Sequence, residues 1–165
     1  MNLDYVEIPN QAILARAKKY LLSAELLESQ NEQLELGSIL CSSFSIELLL
    51  KSLLSTSFPQ NVEQLDEGSF SYNGLVHNTV HGHCYSKLFG KLTSEQRSYL
   101  SEFFNSGNKS ESLELMFKTF DDTFVKWRYG YEATNKSINI SVLLRLNRKL
   151  YEAIARLELV IEPRA

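Results

Sequence analysis

The stretch LELGSILCSSFSIELLLKSLLST, residues 34–56, decides the fold. Its apolar residues lie almost all around a helical wheel, and it contains no Pro. A helix that is apolar on nearly every side is typical of the middle of a helical bundle. The sequence therefore predicts a buried helix over residues 34–56, with the rest of the chain packed around it.

Apolar residues at helical spacing, start signals and breaks predict the other helices. The segment TSEQ at 93–96 has the form of a capping box, which begins a helix. The predicted helices cover residues 9–29, a short segment within 82–92, residues 93–104, residues 112–131, and a last helix that begins at Asn139 or Ser141. Together they predict an all-α, up-and-down bundle of four main helices plus short ones, a single domain with its core over residues 10–160.

Residues 57–81 lack a helical period and contain Pro59, Gly68 and Gly74. They are predicted to form a long loop, with a possible small hairpin at YNGL, residues 72–75, because Asn-Gly suits a tight turn. A loop of this length in a compact domain is often functional.

Composition points to a cytoplasmic protein without a membrane segment. No apolar run approaches the length of a membrane span, and the N-terminus MNLDYVEIP lacks the basic region of a signal peptide. Two cysteines, Cys41 and Cys84, are too few for a disulfide framework and suit a reducing compartment. No cofactor motif is recognised, so none is expected.

The net charge of −3 argues against a general polyanion binder. The charge is unevenly distributed, however. Residues 1–125 carry nine Lys/Arg against sixteen Asp/Glu, a balance of −7, and residues 126–165 carry eight against four, a balance of +4. The basic C-terminal quarter is either a set of solvated helix faces or a local site for an anion such as phosphate.

Glu47 and Lys51 stand one turn apart on the otherwise apolar helix 34–56. A buried charge needs a partner, so the two residues either pair at the surface or belong to a binding site.

A second group of polar residues lies in HNTVHGHC, where His77, His81, His83 and Cys84 fall within eight residues. Their spacing matches none of the usual paired zinc patterns, so no tightly bound zinc is expected. His83 is instead expected to cap or orient the short helix that follows it.

The third stretch is FVKWRYGYE, residues 124–132. On one helix its aromatic residues would form a core face, whereas Asp121, Arg128 and Glu132 would share another face. Arg128 is then a forked cation suited to a carboxylate or phosphate, and Lys126 and Tyr129 join it as candidate binding residues.

Taken in order, SIELLLKSLL, HGHCYSKLFGKL and FVKWRYGYE resemble the HEPN domain, a helical domain associated with nucleotides or RNA in prokaryotes and higher eukaryotes. The resemblance runs from about residue 10 to residue 160. It implies a helical bundle that commonly dimerises, and a role as a metal-independent ribonuclease or as the toxin of a toxin–antitoxin pair. The leucines of the last helix, Leu143, Leu146, Leu150 and Leu157, are the expected dimer seam.

Ribonucleases of that family resemble one another in an Arg followed, four to six residues later, by a His that transfers a proton at phosphate. Here Arg128 is followed by Ala133, Thr134 and Asn135, and no His comes later. Asn cannot act as an acid or base near neutral pH. The main interpretation is therefore a non-catalytic module that binds a nucleotide, RNA or a protein partner.

Two alternatives remain open. One is a ribonuclease toxin that uses Arg128 and His83, if the fold brings His83 beside Arg128. The other is a helical partner subunit of a nucleotidyltransferase-type antitoxin. The expected binding residues are Arg128, Tyr129, Glu132, Lys126, Glu47, Lys51 and His83.

Overall fold

Helices form the body of the protein. The computed structural model describes residues 5–30, 34–55, 57–60, 63–67, 69–71, 73–78, 80–105, 112–128, 138–157 and 160–163. Its helices are α1 (Gln11–Gln30), α2 (Glu35–Leu54), α3 (Tyr85–Gly90), α4 (Ser94–Asn105), α5 (Leu113–Phe120), α6 (Thr123–Arg128) and α7 (Ile140–Ala155). The prediction of an all-α fold is confirmed.

Short antiparallel strands lie beside these helices. β1 (Tyr5–Ile8) pairs with β6 (Val160–Pro163), which joins the two ends of the chain. Between α2 and α3, β2 (Ser57–Gln60) pairs with β5 (Gly74–His77), and β3 (Glu63–Asp66) pairs with β4 (Ser69–Ser71).

The prediction of a loop over residues 57–81, with a hairpin at residues 72–75, is therefore wrong. Because β2 pairs with β5 and β3 pairs with β4, the turn at which this segment reverses direction lies between Asp66 and Ser69. Gly74 is instead the first residue of β5, and Asn73 directly precedes it. All four residues of β3 are exposed, so this strand has no alternation of buried and exposed positions that the sequence could display.

The helix α2 is central, as predicted. It contacts α1, α3, α6 and α7, and Ile39, Ile46 and Leu49 are fully buried. Among the described residues, α2 is also the one helix long and apolar enough to cross a membrane, but 61% of its most apolar 18-residue stretch is buried in the bundle. Core helices commonly have this length and composition, and burial accounts for the apolar surface of α2.

Small residues bring α1 and α2 close together. Ala17 and Ala24 of α1 have no exposed surface. The Oγ of Ser45 lies 2.8 Å from the carbonyl oxygen of Ala17, and Ser38 Oγ donates to the carbonyl oxygen of Ala24 at 2.7 Å. Since buried hydroxyls need partners, these serines of α2 are explained by packing against the α1 backbone.

Two predicted helix starts are confirmed. The backbone N–H of Thr93 donates to Gln96 Oε1 at 3.0 Å, and the backbone N–H of Gln96 donates to Thr93 Oγ1 at 3.2 Å, which together form a capping box. Of the two candidate starts of the last helix, Asn139 is the cap, because its Oδ1 accepts from the backbone N–H of Val142 at 3.2 Å.

The prediction of a single helix over residues 112–131 is wrong. α5 ends at Phe120 and α6 begins at Thr123, with Asp121 and Asp122 in a turn between them. No Gly or Pro marks this break in the sequence.

The leucines of α7 that were expected to form a dimer seam are buried inside the chain. Leu143, Leu146 and Leu150 are at most 2% exposed and belong to the hydrophobic core of the chain itself. They pack within one chain, so they do not offer a surface for self-association.

Candidate functional site

Two segments that the sequence singled out separately meet at one carboxylate. Glu47 Oε1 accepts from Lys51 Nζ at 2.7 Å, one turn along α2. Glu47 Oε2 lies 2.9 Å from Nδ1 of His83, which stands 36 residues later in the loop before α3. We call Glu47, Lys51 and His83 the charged corner. This contact links the loop directly before α3 to α2, in keeping with the expectation that His83 orients α3.

Exposure differs sharply within the charged corner. The side chain of Glu47 is 5% exposed and that of Lys51 16%, whereas that of His83 is 60% exposed. A carboxylate taken out of water is costly unless its oxygens are hydrogen-bonded, and here each oxygen has its own partner. Glu47 and Lys51 are therefore not a simple surface pair, and only His83 presents a large surface to solvent.

The loop before α3 is shaped to place His83. Gly82 has a φ of 114°, in the region that only glycine adopts without strain. The backbone of Cys84 then leads into α3, and the Lys91 Nζ donates to the carbonyl oxygen of His81 at 3.3 Å. His83 therefore lies between the turn at Gly82 and the start of α3.

Tyr85, directly after this loop, anchors α3 to α2. Its ring has no exposed surface, and its hydroxyl donates to the carbonyl oxygen of Ser43 at 3.1 Å. Burial raises the pKa of Tyr85 well above its ordinary value of 10.0, and the nearby charges of Glu47 and Asp121 add to the rise.

A contact that the sequence did not indicate holds α3 to the turn between α5 and α6. Asp121 Oδ1 accepts from the backbone N–H of Ser86 at 2.6 Å, and Asp121 Oδ2 accepts from the Ser86 hydroxyl. Asp121 thereby satisfies a free N–H in the first turn of α3. Both oxygens of Asp121 bond to Ser86. Its expected place beside Arg128 stays a prediction, because the Arg128 side chain lies outside the described residues.

Aromatic rings connect α6 to the charged corner. The Phe124 ring lies 4.3 Å from that of Phe44 on α2 in an edge-on contact, and 6.1 Å from the His83 ring, centroid to centroid. Phe117, Phe120 and Phe124 are at most 6% exposed, so these three members of the predicted aromatic core face over residues 112–131 are buried.

The remaining predicted binding residues fall largely outside the described residues. Tyr129 and Glu132 lie there entirely, and of Arg128 the structure describes the backbone at the end of α6 but not the side chain. Lys126 is described: its Nζ pairs with Asp122 Oδ2 at 2.8 Å, and both side chains are largely exposed. The predicted cluster around Arg128 therefore stays a prediction.

Other cations of the basic C-terminal quarter have partners within the fold. Arg148 pairs with Glu25 of α1. Lys149 donates to the carbonyl oxygen of Phe104 at 2.9 Å, and Arg156 lies 5.1 Å from the centre of the Phe103 ring. These contacts favour the interpretation of the described part of this quarter as ordinary helix faces.

In the part of the chain that the structure describes, no three His, Cys, Asp or Glu side chains come together in a way that could hold a metal ion. The side chain of His77 is outside that part. The expectation of no bound zinc remains a prediction for metal analysis.

Chemically, the charged corner is a carboxylate-supported imidazole. A His that is hydrogen-bonded to a carboxylate through one nitrogen has its ring orientation set, and the other nitrogen is left for a ligand or a proton. Scans against protein-family models, curated proteins and solved structures found no match. The resemblance to the HEPN domain therefore rests on the sequence motifs alone.

Proposed function

We propose that the protein is a cytoplasmic HEPN-like helical module that binds a phosphate-containing ligand, a nucleotide or RNA, at the charged corner and the adjoining end of α6. The observation that carries the proposal is the 2.9 Å contact between Glu47 Oε2 and Nδ1 of His83, whose ring is 60% exposed. A protonated His83 held in this way offers its other N–H to a phosphate oxygen as a charge-assisted donor.

The sequence adds a second cation to this site. Arg128 stands one helical turn after Phe124, the residue of α6 whose ring lies 6.1 Å from the His83 ring. An Arg side chain has the fork that phosphate recognition favours. We propose that Arg128 and His83 bind the same ligand, with Lys126 at its edge.

Binding assays with matched controls test this proposal. Fluorescently labelled RNA and a nucleoside triphosphate would be titrated against wild type, Arg128→Ala and His83→Ala, with Lys118→Ala and His81→Ala as exposed controls of the same residue type or charge. Affinity should fall steeply with added salt. Arg128→Ala should lose about 1–3 kcal/mol of binding free energy, and the controls should lose little. Equal losses in the controls would point to nonspecific attraction and refute the site.

The same contact favours a second function, the metal-independent ribonuclease. An imidazole that is oriented by a carboxylate is suited to general acid–base catalysis. Wild type would then cut RNA in the presence of a chelator, and folded His83→Ala and Arg128→Ala proteins would not. Absence of cutting by wild type leaves the binding module, which is the function we favour.

Two proposals about protein partners rest on the sequence motifs alone. Self-association is measured by light scattering at micromolar concentration, where a monomer mass would refute it. A role beside a nucleotidyltransferase-type antitoxin, within a toxin–antitoxin or defence system, is tested by whether such a gene lies next to this one.

A further inference from the structure

We infer that Glu47 is the positioning residue of His83: its carboxylate places the proton of the neutral imidazole on Nδ1 and leaves Nε2 as the atom that meets a ligand. That Nε2 meets a ligand rests on the proposed function, whereas the position of the proton on Nδ1 does not. Its test needs no ligand, so the two can fail separately.

The two oxygens of Glu47 have different partners. Lys51 Nζ can only donate a hydrogen bond, so Oε1 must accept at 2.7 Å, and this contact turns Oε2 toward His83. A carboxylate only accepts, so Nδ1 of His83 must be the donor across the 2.9 Å contact.

The number of protons on the His83 ring decides the state of its other nitrogen. A neutral imidazole carries a single N–H. If that proton is on Nδ1, then Nε2 has a free lone pair. This is opposite to the tautomer that histidine favours in water, where the proton is on Nε2. The protein environment would therefore select the minor solution form.

The two edges of the His83 ring differ in their exposure to solvent. Nδ1 points to a carboxylate that is 5% exposed, whereas the His83 side chain is 60% exposed. The exposed edge of the ring is accordingly the one that carries Nε2. The Phe124 ring lies 6.1 Å from the His83 ring, centroid to centroid.

The chemical consequence is a single defined atom for proton exchange. In the neutral ring, Nε2 accepts a proton from a bound hydroxyl or water, and in the protonated ring the same atom returns it or donates to a phosphate oxygen. Glu47 does not touch the ligand. It acts through the orientation and tautomer of His83.

Long-range ¹⁵N–¹H correlation spectra of the full-length, ¹⁵N-labelled protein test the inference directly. The three histidines are assigned with His77→Gln, His81→Gln and His83→Gln variants. At a pH where the ring is neutral, His83 should show a protonated Nδ1 and an unprotonated Nε2. His81, exposed on the same loop, gives the reference for a ring in solvent. A wild-type His83 protonated on Nε2 overturns the inference.

The variant Glu47→Gln sharpens the test, because it should invert the tautomer. Its amide oxygen should turn to the Lys51 ammonium, which can only donate, and its NH₂ group would then face Nδ1. Nδ1 must accept from that group, so the proton of His83 should move to Nε2. A folded Glu47→Gln protein in which Nδ1 stays protonated contradicts the inference. If this variant does not fold, the wild-type spectrum decides alone.

Binding measured on the same samples separates the inference from the proposed function. The probe is the labelled RNA used above. A wild-type protein with Nδ1 protonated that does not bind this RNA refutes the proposed function and supports the positioning role. A protein that binds the RNA, but whose neutral His83 ring carries its proton on Nε2 in the absence of RNA, refutes the positioning role.

Discussion

Asn147 of α7 and Ser45 of α2, 102 residues apart, meet in the core with 2.9 Å between Asn147 Oδ1 and Ser45 Oγ. The Asn147 amide nitrogen donates to both the Oγ of Ser42, at 3.1 Å, and the Ser42 carbonyl oxygen, at 3.3 Å. That carbonyl oxygen can only accept, which sets the orientation of the amide. None of these three residues has exposed surface, so this network fixes how α7 sits on α2.

We expect Asn147→Ala to lower the free energy of unfolding by about 1–3 kcal/mol, the cost of losing buried hydrogen bonds. Asn147→Asp should cost more at neutral pH, because a carboxylate oxygen would then face the Ser42 carbonyl oxygen in a buried site. Its deficit should shrink in acid, where the carboxyl can carry a proton and donate. Urea unfolding measures both, with Ser141→Ala, exposed on the same helix, as the control. A loss of stability in that control equal to that of Asn147→Ala would contradict the network.

Removing only one partner of the Glu47–Lys51 pair should be more harmful than removing both. Glu47→Met leaves the Lys51 ammonium, 16% exposed, without its carboxylate, and should cost about 3 kcal/mol of unfolding free energy. The double variant Glu47→Met/Lys51→Met replaces the pair by apolar side chains and should recover much of that loss. Thermal or urea unfolding of the three proteins checks this order. A double variant less stable than Glu47→Met would show that the corner contributes net stability.

Asp121→Ala should detach α3 from the turn before α6. Asp121 accepts two hydrogen bonds from Ser86, so we expect a loss of about 1–3 kcal/mol. The neighbouring Asp122 pairs with Lys126 on the surface, where its side chain is 65% exposed, and Asp122→Ala should cost about 0.5 kcal/mol. Chemical unfolding of the two variants compares adjacent acids that differ in their partners and in their exposure. Similar losses would argue against the role given to Asp121.

The sequence predicted those features that repeat along one segment. α2 was recognisable because its apolar residues lie on every side, and the capping box at Thr93 because its two partners stand three residues apart. Features that depend on distant residues were missed. Asp121, in the turn between α5 and α6, bonds to Ser86, 35 residues earlier, and no Gly or Pro in the sequence marks this turn.

The charged corner falls between these cases. Glu47 and His83 were each singled out, because a charge on an apolar helix and a His beside a helix start are unusual. Nothing in the spacing of 36 residues shows that they meet. The ribbon of β3 and β4 was missed for another reason, since exposed strands such as β3 have no hydrophobic period.

Tyr85 should make the protein sensitive to alkali. Burial raises its pKa in the folded state, so the folded protein keeps the phenol proton at a pH where the unfolded chain has lost it. The stability linked to Tyr85 is therefore complete below pH 10 and falls as the pH rises above the ordinary value of 10.0. An absorbance titration of phenolate should show a component that appears only with unfolding, and Tyr85→Phe should remove it. A late component that persists in Tyr85→Phe would assign it to another tyrosine.

Gly82 offers the sharpest test of how the loop places His83. A Cβ at Gly82 would meet nothing within 4 Å, so crowding is excluded, but its φ of 114° is strained for any other residue. We expect Gly82→Ala to cost about 1–3 kcal/mol of unfolding free energy, or to shift the loop and break the contact between His83 and Glu47. Gly90→Ala is the matched control, because its Cβ also meets nothing within 4 Å while its position is the last residue of α3. It should be neutral or stabilising by up to about 1 kcal/mol. Urea unfolding together with the His83 ¹⁵N spectrum distinguishes the two forms of loss, and a Gly82→Ala protein with unchanged stability and an unchanged His83 tautomer would show that this turn does not position the ring.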